Sequence, residues 1–419
     1  MASSISSFYS GKDSPVLIVG AGMAGLGCAV TLHQAGVPVL IFEGDDEVGG
    51  RVRTDEIEGY RLDRGFQVLL TAYPEARKFL DYEKLELRTC YPGSMVWFEG
   101  RFHRVADPFR RPVEGVKSIF NPIGSLNEKL RVGMMRTGFL STGSFPDDCS
   151  TSDALIKLGF GSKMTDRFWK PFMRGVFLEN ELSTSVRKFE ETFRLFGSGD
   201  TALPRHGIGE IPKQLAGRLP LESIHFGKQI NKVEKNGVES SEGEKWGGRA
   251  VVLATEFNRA NQLLDSHQDE TSWNSVDCLY FSLPLGDLPT KEPILHLDGS
   301  GKGPINNLNF ISTTCDCAPP DKALVSLSVL GKQDMKMEKI SELVREQLGE
   351  WFGPKSKNWK FVRGYRIPHA VPRCIVPIKR EPVVKGIYRC GDYLGLPSID
   401  TALRSGRKTA ELILKARTG

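Results

Sequence analysis

The chain has 419 residues, 40% hydrophobic and 26% charged, with 56 Lys and Arg against 51 Asp and Glu. That length exceeds what one hydrophobic core usually organises, so two domains are expected. The formal charge of +5 is small and evenly mixed, no zinc-finger or RNA-binding signature appears, and a nucleic-acid partner is not expected. Eight cysteines are scattered without the density of a small secreted disulfide scaffold, so a reducing compartment fits best.

The N-terminal stretch MASSISSFYSGKDSP is Ser-rich and carries no acid before Asp13. Plastid transit peptides have this flavour, yet few residues precede the first apolar run. The expectation is a soluble intracellular, cytoplasmic protein, with the plastid as the alternative. From Ser14 to Phe42 there is no Asp, Glu, Lys or Arg. A membrane span and a buried strand–helix–strand unit compete for such a run.

The glycines favour the second. An apolar strand ends at Gly20-Ala-Gly22, Met23 and Ala24 open an apolar helix with Gly25 in its first turn, and a second strand ends at Glu43. Gly20 permits a tight turn, Gly22 lets the backbone approach a pyrophosphate, and Gly25 lets the helix pack close to the sheet. Phosphate then lies at the helix N-terminus, where unpaired N–H groups and the dipole favour negative charge. Glu43 has the spacing of an acid that accepts hydrogen bonds from an adenosine ribose. A dinucleotide site is predicted; a purely structural glycine turn is the alternative.

Further elements indicate which dinucleotide. Gly49-Gly50-Arg51 opens GGRVRT, and Leu62-Asp-Arg-Gly65-Phe66-Gln-Val68 follows a polar turn. Near the other end, Gly386-Ile-Tyr-Arg-Cys-Gly391-Asp392 reads as a short strand, and Ser398-Ile399-Asp400-Thr-Ala402 begins the final helix. On these residues the chain resembles the FAD-dependent amine-oxidase superfamily, in its phytoene desaturase and protoporphyrinogen oxidase branch. The resemblance implies that Gly49 and Gly50 lie over the FAD phosphates and ribityl chain and that Arg51 pairs with a phosphate. It implies that Gly65 and Phe66 pass beside the flavin ring and that Val233 contacts adenine through its backbone. Gly391 and Asp392 would meet the ribityl or pyrophosphate region. The helix start at Ile399, Asp400 and Ala402 would face the flavin N1 and C2 carbonyl, where reduced flavin carries negative charge.

The implied fold is α/β, a doubly wound, Rossmann-like FAD-binding domain with an inserted α+β substrate domain. FAD segments are expected at 13–80, 206–260 and 380–419, and substrate segments at 81–205 and 261–379. In the first insert, Arg101 to Leu140 holds eight Lys or Arg, three acids and many apolar residues. It suits either a membrane surface or an ordinary helix with one solvated face. Trp169, Phe172 and Phe177 suit either an apolar tunnel or plain core. Cys315-Asp-Cys317 reads as an incidental reduced pair, and Cys374 and Cys390 sit in no motif for covalent flavin attachment. His369 reads as a structural histidine or a proton carrier, and Tyr365 as an active-site wall; no catalytic acid or base is assigned.

The predicted activity is dehydrogenation of a bulky apolar substrate, such as a carotenoid, other isoprenoid or porphyrinogen, by hydride transfer to flavin N5. Oxygen or a quinone is the expected acceptor, and no second dinucleotide fingerprint supports NADPH. A flavin amine oxidase producing hydrogen peroxide and a non-catalytic flavin-binding scaffold are the alternatives.

Overall fold

A computed structural model describes residues 14–265, 272–331, 333–375, 383–384 and 387–416, with backbone alone at 383–384. The transit-like N-terminus, the domain start at 13, the expected junction at 379/380 and Gly386 lie outside the described residues.

Val16–Val19 is four consecutive buried apolar residues, the pattern of a strand covered on both faces. It pairs in parallel with Val39–Phe42 on one side and Ala250–Leu253 on the other. Ile224–His225 extends the sheet beyond Val39–Phe42, and Ile387–Arg389 and Val383–Val384 complete the opposite edge. Chain start, middle and end thus meet in one doubly wound sheet. The first helix, Met23–Gln34, and the last, Ile399–Lys415, pack side by side, with Gly27 against Leu403 and Gly406 against Ala24.

The middle segment forms a strand, turn and strand at Ile224–His225 and Ile230–Glu234, and these two strands join different sheets. Only Ile224–His225 joins the parallel sheet. Ile230–Glu234 turns into a separate antiparallel sheet with Gly237–Ser240 and Lys245–Gly247. The break expected at 260/261 falls inside the helix Phe257–Leu263, where Ala260 and Leu263 pack into the same core as Val251 and Leu253.

A second sheet has seven strands in the order Lys360–Pro372, Trp273–Pro284, Lys322–Leu330, Ile305–Asn309, Leu295–Asp298, Gly93–Phe98 and Arg101–Ala106. Strands far apart in sequence meet where Leu295–Asp298 runs parallel to Gly93–Phe98. One face buries Leu279, Phe281, Leu308 and Leu327 together with Ile340, Val344 and Leu348 of the helix Met337–Phe352. That helix is stabilised mainly by this apolar stripe rather than by capping, since no side chain caps its N-terminus. The opposite face of the sheet borders a cavity. No described helix is long and apolar enough to cross a membrane.

Candidate active site

Local geometry at the first turn follows from its glycines. Gly20 has φ +106°, a conformation side-chain-bearing residues rarely adopt, and a Cβ on Gly25 would lie 2.0 Å from the Gly20 carbonyl oxygen. Gly22 caps the first helix without a side chain, so that helix offers its first-turn N–H groups outward. Among the described residues nothing lies within 4 Å of a Cβ added at Gly22. Gly49 bridges to Gly22 in parallel, laying the second glycine element over the first.

Glu43 follows the second strand, its Oε2 accepting from the Ala21 N–H at 2.7 Å and its Oε1 from the Asp45 N–H at 3.1 Å. Both oxygens keep further acceptor capacity. Open glycine backbone, a positive helix end and a fixed carboxylate together fit the pyrophosphate and ribose of FAD.

These residues open into one cavity of about 1280 Å³. Its wall includes Gly20, Gly22, Met23, Ala24, Glu43, Gly49, Gly50 and Arg51, then Gly65 and Phe66, and from the chain end Gly391, Asp392, Ile399 and Ala402. Three residues read from sequence are not on that wall. Gly25 packs beneath the turn. Val233 belongs to the small antiparallel sheet and packs against the core of Leu17, Phe42 and Val251. Asp400 turns away: its Oδ1 accepts from the backbone N–H groups of Glu75 and Ala76, at 2.7 and 3.1 Å. The carboxylate thereby caps the short helix Pro74–Phe79 and fixes the start of the last helix.

Arg51 donates to Asp392 Oδ1 at 2.8 Å and to the Ala370 carbonyl at 3.0 Å, and its guanidinium lies 5.4 Å from the centre of the Trp273 ring. His369 stacks on the other neighbour of this group, with ring centroids 5.3 Å apart from Trp273 and Nδ1 3.0 Å from Glu256 Oε2. The imidazole is held at the rim by stacking and a carboxylate. Tyr365 donates to Asp55 Oδ2 at 2.9 Å, and Arg64 Nε reaches both Asp55 oxygens. Burial and the Asp55 carboxylate raise the Tyr365 pKa, so the phenol stays protonated.

The Cys390 thiol is fully buried and does not border the cavity; burial raises it well above the ordinary thiol range. Cys374 does border it. Cys317 is pushed up to about 12 by burial, and Cys315 is raised with it, so neither is a ready thiolate.

Beyond Phe66 the cavity becomes aromatic. Phe168 stacks on Phe172 at 5.5 Å, Phe172 meets Phe196 at 5.3 Å, and Trp169 meets Phe193 at 5.9 Å. Trp169 and Phe177 are buried in a cluster with Phe160 and Phe189 and also edge the cavity. The wall ends at Phe109, Val116, Ile119, Leu126 and Leu130, all exposed as well as cavity-lining.

Sequence reading missed Phe193 and Phe196, which border the cavity from the helix Val186–Ser198. It also missed Ser94, Asn307, Asn309 and Ser328, which border the cavity from the large sheet. A signal existed: Ile305-Asn-Asn-Leu-Asn309 puts polar residues where a buried strand is normally apolar.

Comparison with known proteins agrees with this geometry. The family model described as flavin containing amine oxidoreductase matches residues 23–414. The 15-cis-phytoene desaturase, chloroplastic/chromoplastic, of an Oncidium hybrid cultivar is 23% identical over 468 aligned positions, covering 96% of this chain and 78% of its own. Protoporphyrinogen oxidase 2 of Arabidopsis thaliana is 26% identical over 175 positions, which cover 41% of this chain and only about a third (34%) of that protein. An oxidoreductase from Methanosarcina mazei superposes with a TM-score of 0.75 at 16% identity, covering 96% of this chain and 100% of its own, which shows the shared fold. A doubly wound sheet, a glycine cradle joined by both chain ends and a family match across nearly the whole chain lead to one conclusion: the chain belongs to the flavin-containing amine oxidoreductases and is an FAD-dependent oxidoreductase.

Proposed function

We propose that this protein dehydrogenates a bulky apolar substrate, of the carotenoid, other isoprenoid or porphyrinogen class, with oxygen or a quinone as electron acceptor. The observation that carries the reading is the continuity of the cavity, from the glycine cradle through an aromatic wall to exposed apolar helices. An apolar molecule entering there leaves water gradually and reaches the flavin region already desolvated. The similarity to a phytoene desaturase and a protoporphyrinogen oxidase points the same way.

In this reading FAD, when bound, supplies two-electron oxidation by accepting hydride at N5. The chain's own residues bind and orient. Gly20, Gly22, Met23 and Ala24 hold the pyrophosphate, Glu43 the ribose, and Gly49, Gly50 and Arg51 the phosphates and ribityl chain. Gly65 and Phe66 flank the ring. Asp392 and the helix start at Ile399 and Ala402 face its polar edge, while Phe168, Phe172, Phe193 and Phe196 exclude water and position the substrate. The FAD domain is discontinuous, drawn from the chain start, from a middle segment that runs through the helix Phe257–Leu263, and from the chain end, and the two inserts form the substrate domain.

The exposed helices Pro112–Ile119 and Leu126–Arg136 form a peripheral membrane contact through which a lipophilic substrate enters. Their apolar residues face the acyl region, and the exposed Arg111 and Lys117 face headgroups.

The test is anaerobic flavin bleaching by candidate lipophilic substrates, read on protein whose flavin bands bleach with dithionite and return in air. Bleaching by isoprenoids or porphyrinogens supports the reading. Bleaching by polyamines with hydrogen peroxide formation replaces it with an amine oxidase. A flavin that dithionite cannot cycle leaves a non-catalytic scaffold.

A further inference from the structure

The strands Gly93–Phe98, Leu295–Asp298, Ile305–Asn309 and Lys322–Leu330 lie consecutively in the large sheet. Side chains alternate across a sheet. Since Leu308 and Leu327 face the helix Met337–Phe352, their neighbours face the cavity, and the residues found there are Asn307, Asn309, Ser328 and Ser94. All four are at least nine-tenths buried. A cavity shaped only for hydrocarbon would carry apolar side chains at these positions, as the neighbouring Leu295 and Leu297 do.

Two of the four are accounted for within the protein. Asn307 Nδ2 donates to Ser328 Oγ at 3.4 Å, and its Oδ1 accepts from Asn306 Nδ2 at 3.0 Å. Asn309 Oδ1 and Ser94 Oγ, on residues 2% and 1% exposed, have no hydrogen-bond partner among the described residues. Both residues border the cavity. Neither is charged, so they suit an uncharged ligand group: Oδ1 accepts from a hydroxyl, and the serine hydroxyl both donates and accepts.

Position sets the distance. Gly65, assigned above to the flavin ring, abuts Ile367 on the edge strand Lys360–Pro372 so closely that a Cβ would lie 2.8 Å from Ile367 Cδ1. Asn309 is three strands away from that edge and Ser94 five. At about 4.8 Å per strand, these are about 14 and 24 Å away across the sheet.

We propose that the substrate is an apolar molecule with an uncharged hydroxyl or carbonyl group remote from the carbon that is oxidised, and that Asn309 or Ser94, about 10 Å apart across the sheet, selects for that group according to its distance from that carbon. This rests on the apolar-substrate reading and narrows it from hydrocarbons to oxygenated isoprenoids.

The test uses the FAD-bound protein with two probes, the isoprenoid alcohol geranylgeraniol and its deoxy hydrocarbon analogue of equal chain length. Binding is read by equilibrium dialysis, and placement near the flavin by perturbation of its absorbance. Wild type is expected to bind the alcohol at least about tenfold more tightly. The variant at whichever of the two residues the single hydroxyl reaches, N309L or S94A, abolishes the preference while still binding the hydrocarbon. If N309L does not fold, the wild-type ratio and S94A decide. Equal binding of the two probes by wild type, or a preference that survives S94A and N309L, overturns the proposal alone. Binding of neither probe overturns the apolar-substrate reading and this one with it.

Discussion

Arg51 and Asp392, 341 positions apart, form an ion pair at 2.8 Å on the cavity wall. One guanidinium serves the carboxylate, the Ala370 carbonyl and the face of Trp273 at once, which a planar fork can do and an ammonium cannot. R51K keeps the charge and loses this geometry. Hydrogen bonds to charged groups contribute about 1.5–3 kcal/mol, so FAD affinity should fall about 10- to 100-fold. Fluorescence titration of the apoprotein with FAD measures it. An R51K protein that holds FAD as tightly as wild type removes Arg51 from the phosphate site.

Gly406 of the last helix lies against the first. A Cβ there would sit 2.1 Å from the Ala24 carbonyl oxygen and 2.8 Å from the Cys28 nitrogen, both backbone atoms that no rotamer change can move. G406A should push apart the two helices whose N-termini frame the cavity. Overpacking of this kind costs about 1–3 kcal/mol or more, seen as a lower thermal midpoint and a weaker upward shift on adding FAD. G133A is the control: among the described residues nothing lies within 4 Å of an added Cβ, and Ala is the better helix former. Equal midpoints for the two variants would exclude the close helix contact.

Legibility in the sequence followed how local the physics was. The run Val16 to Glu43 could be read because turn, helix start and acid are constraints carried by a single βαβ unit, and the wall residues Gly20, Gly22 and Glu43 follow from it, whereas Gly49, Gly50 and Arg51 came from the family resemblance. Asp400 misled because its partners, the Glu75 and Ala76 N–H groups, lie 325 and 324 positions away. The separation of Ile224–His225 from Ile230–Glu234 depends on which neighbour each strand finds. The polar floor at Asn309 needed the alternation of the large sheet, set by a helix packed on its other face. Gly406 showed no pattern of its own; its reason is the backbone of Ala24.

Asp63 makes stability depend on pH in a definite direction. It is 6% exposed, and burial raises its carboxyl from 3.8 to about 6, opposed by hydrogen bonds from Thr54 and the Ile208 N–H. The folded state therefore holds this proton more tightly than the unfolded chain. Its contribution is fully present below pH 3.8 and is lost as pH rises through about 6, a difference of about 3 kcal/mol. D63N keeps the Oδ1 acceptor for Thr54 at 2.6 Å and Ile208 at 3.0 Å but cannot ionise. Its stability relative to wild type should climb from about pH 4 to 6 and then level off. Urea unfolding across that range checks this, and a difference that stays flat would mean the carboxyl does not titrate there.

The apolar helices give the last prediction. Phe120 and Phe139 are each 85% exposed, and Leu126, Leu130 and Phe109 are more than half exposed nearby. Phe120 and Phe139 do not border the cavity, so changing them should leave FAD binding and the thermal midpoint untouched. Burying one such side chain contributes about 1.5–3 kcal/mol, so F120E/F139E should weaken vesicle association by well over a hundredfold, in about the product of two such losses. Co-sedimentation with phosphatidylcholine vesicles containing phosphatidylserine measures it. Electrostatics predicts a second feature: added salt should weaken wild-type binding only in part, since the apolar contribution does not screen. Wild-type protein that stays in the supernatant at low salt would remove the membrane from the substrate's route and leave these side chains to another partner.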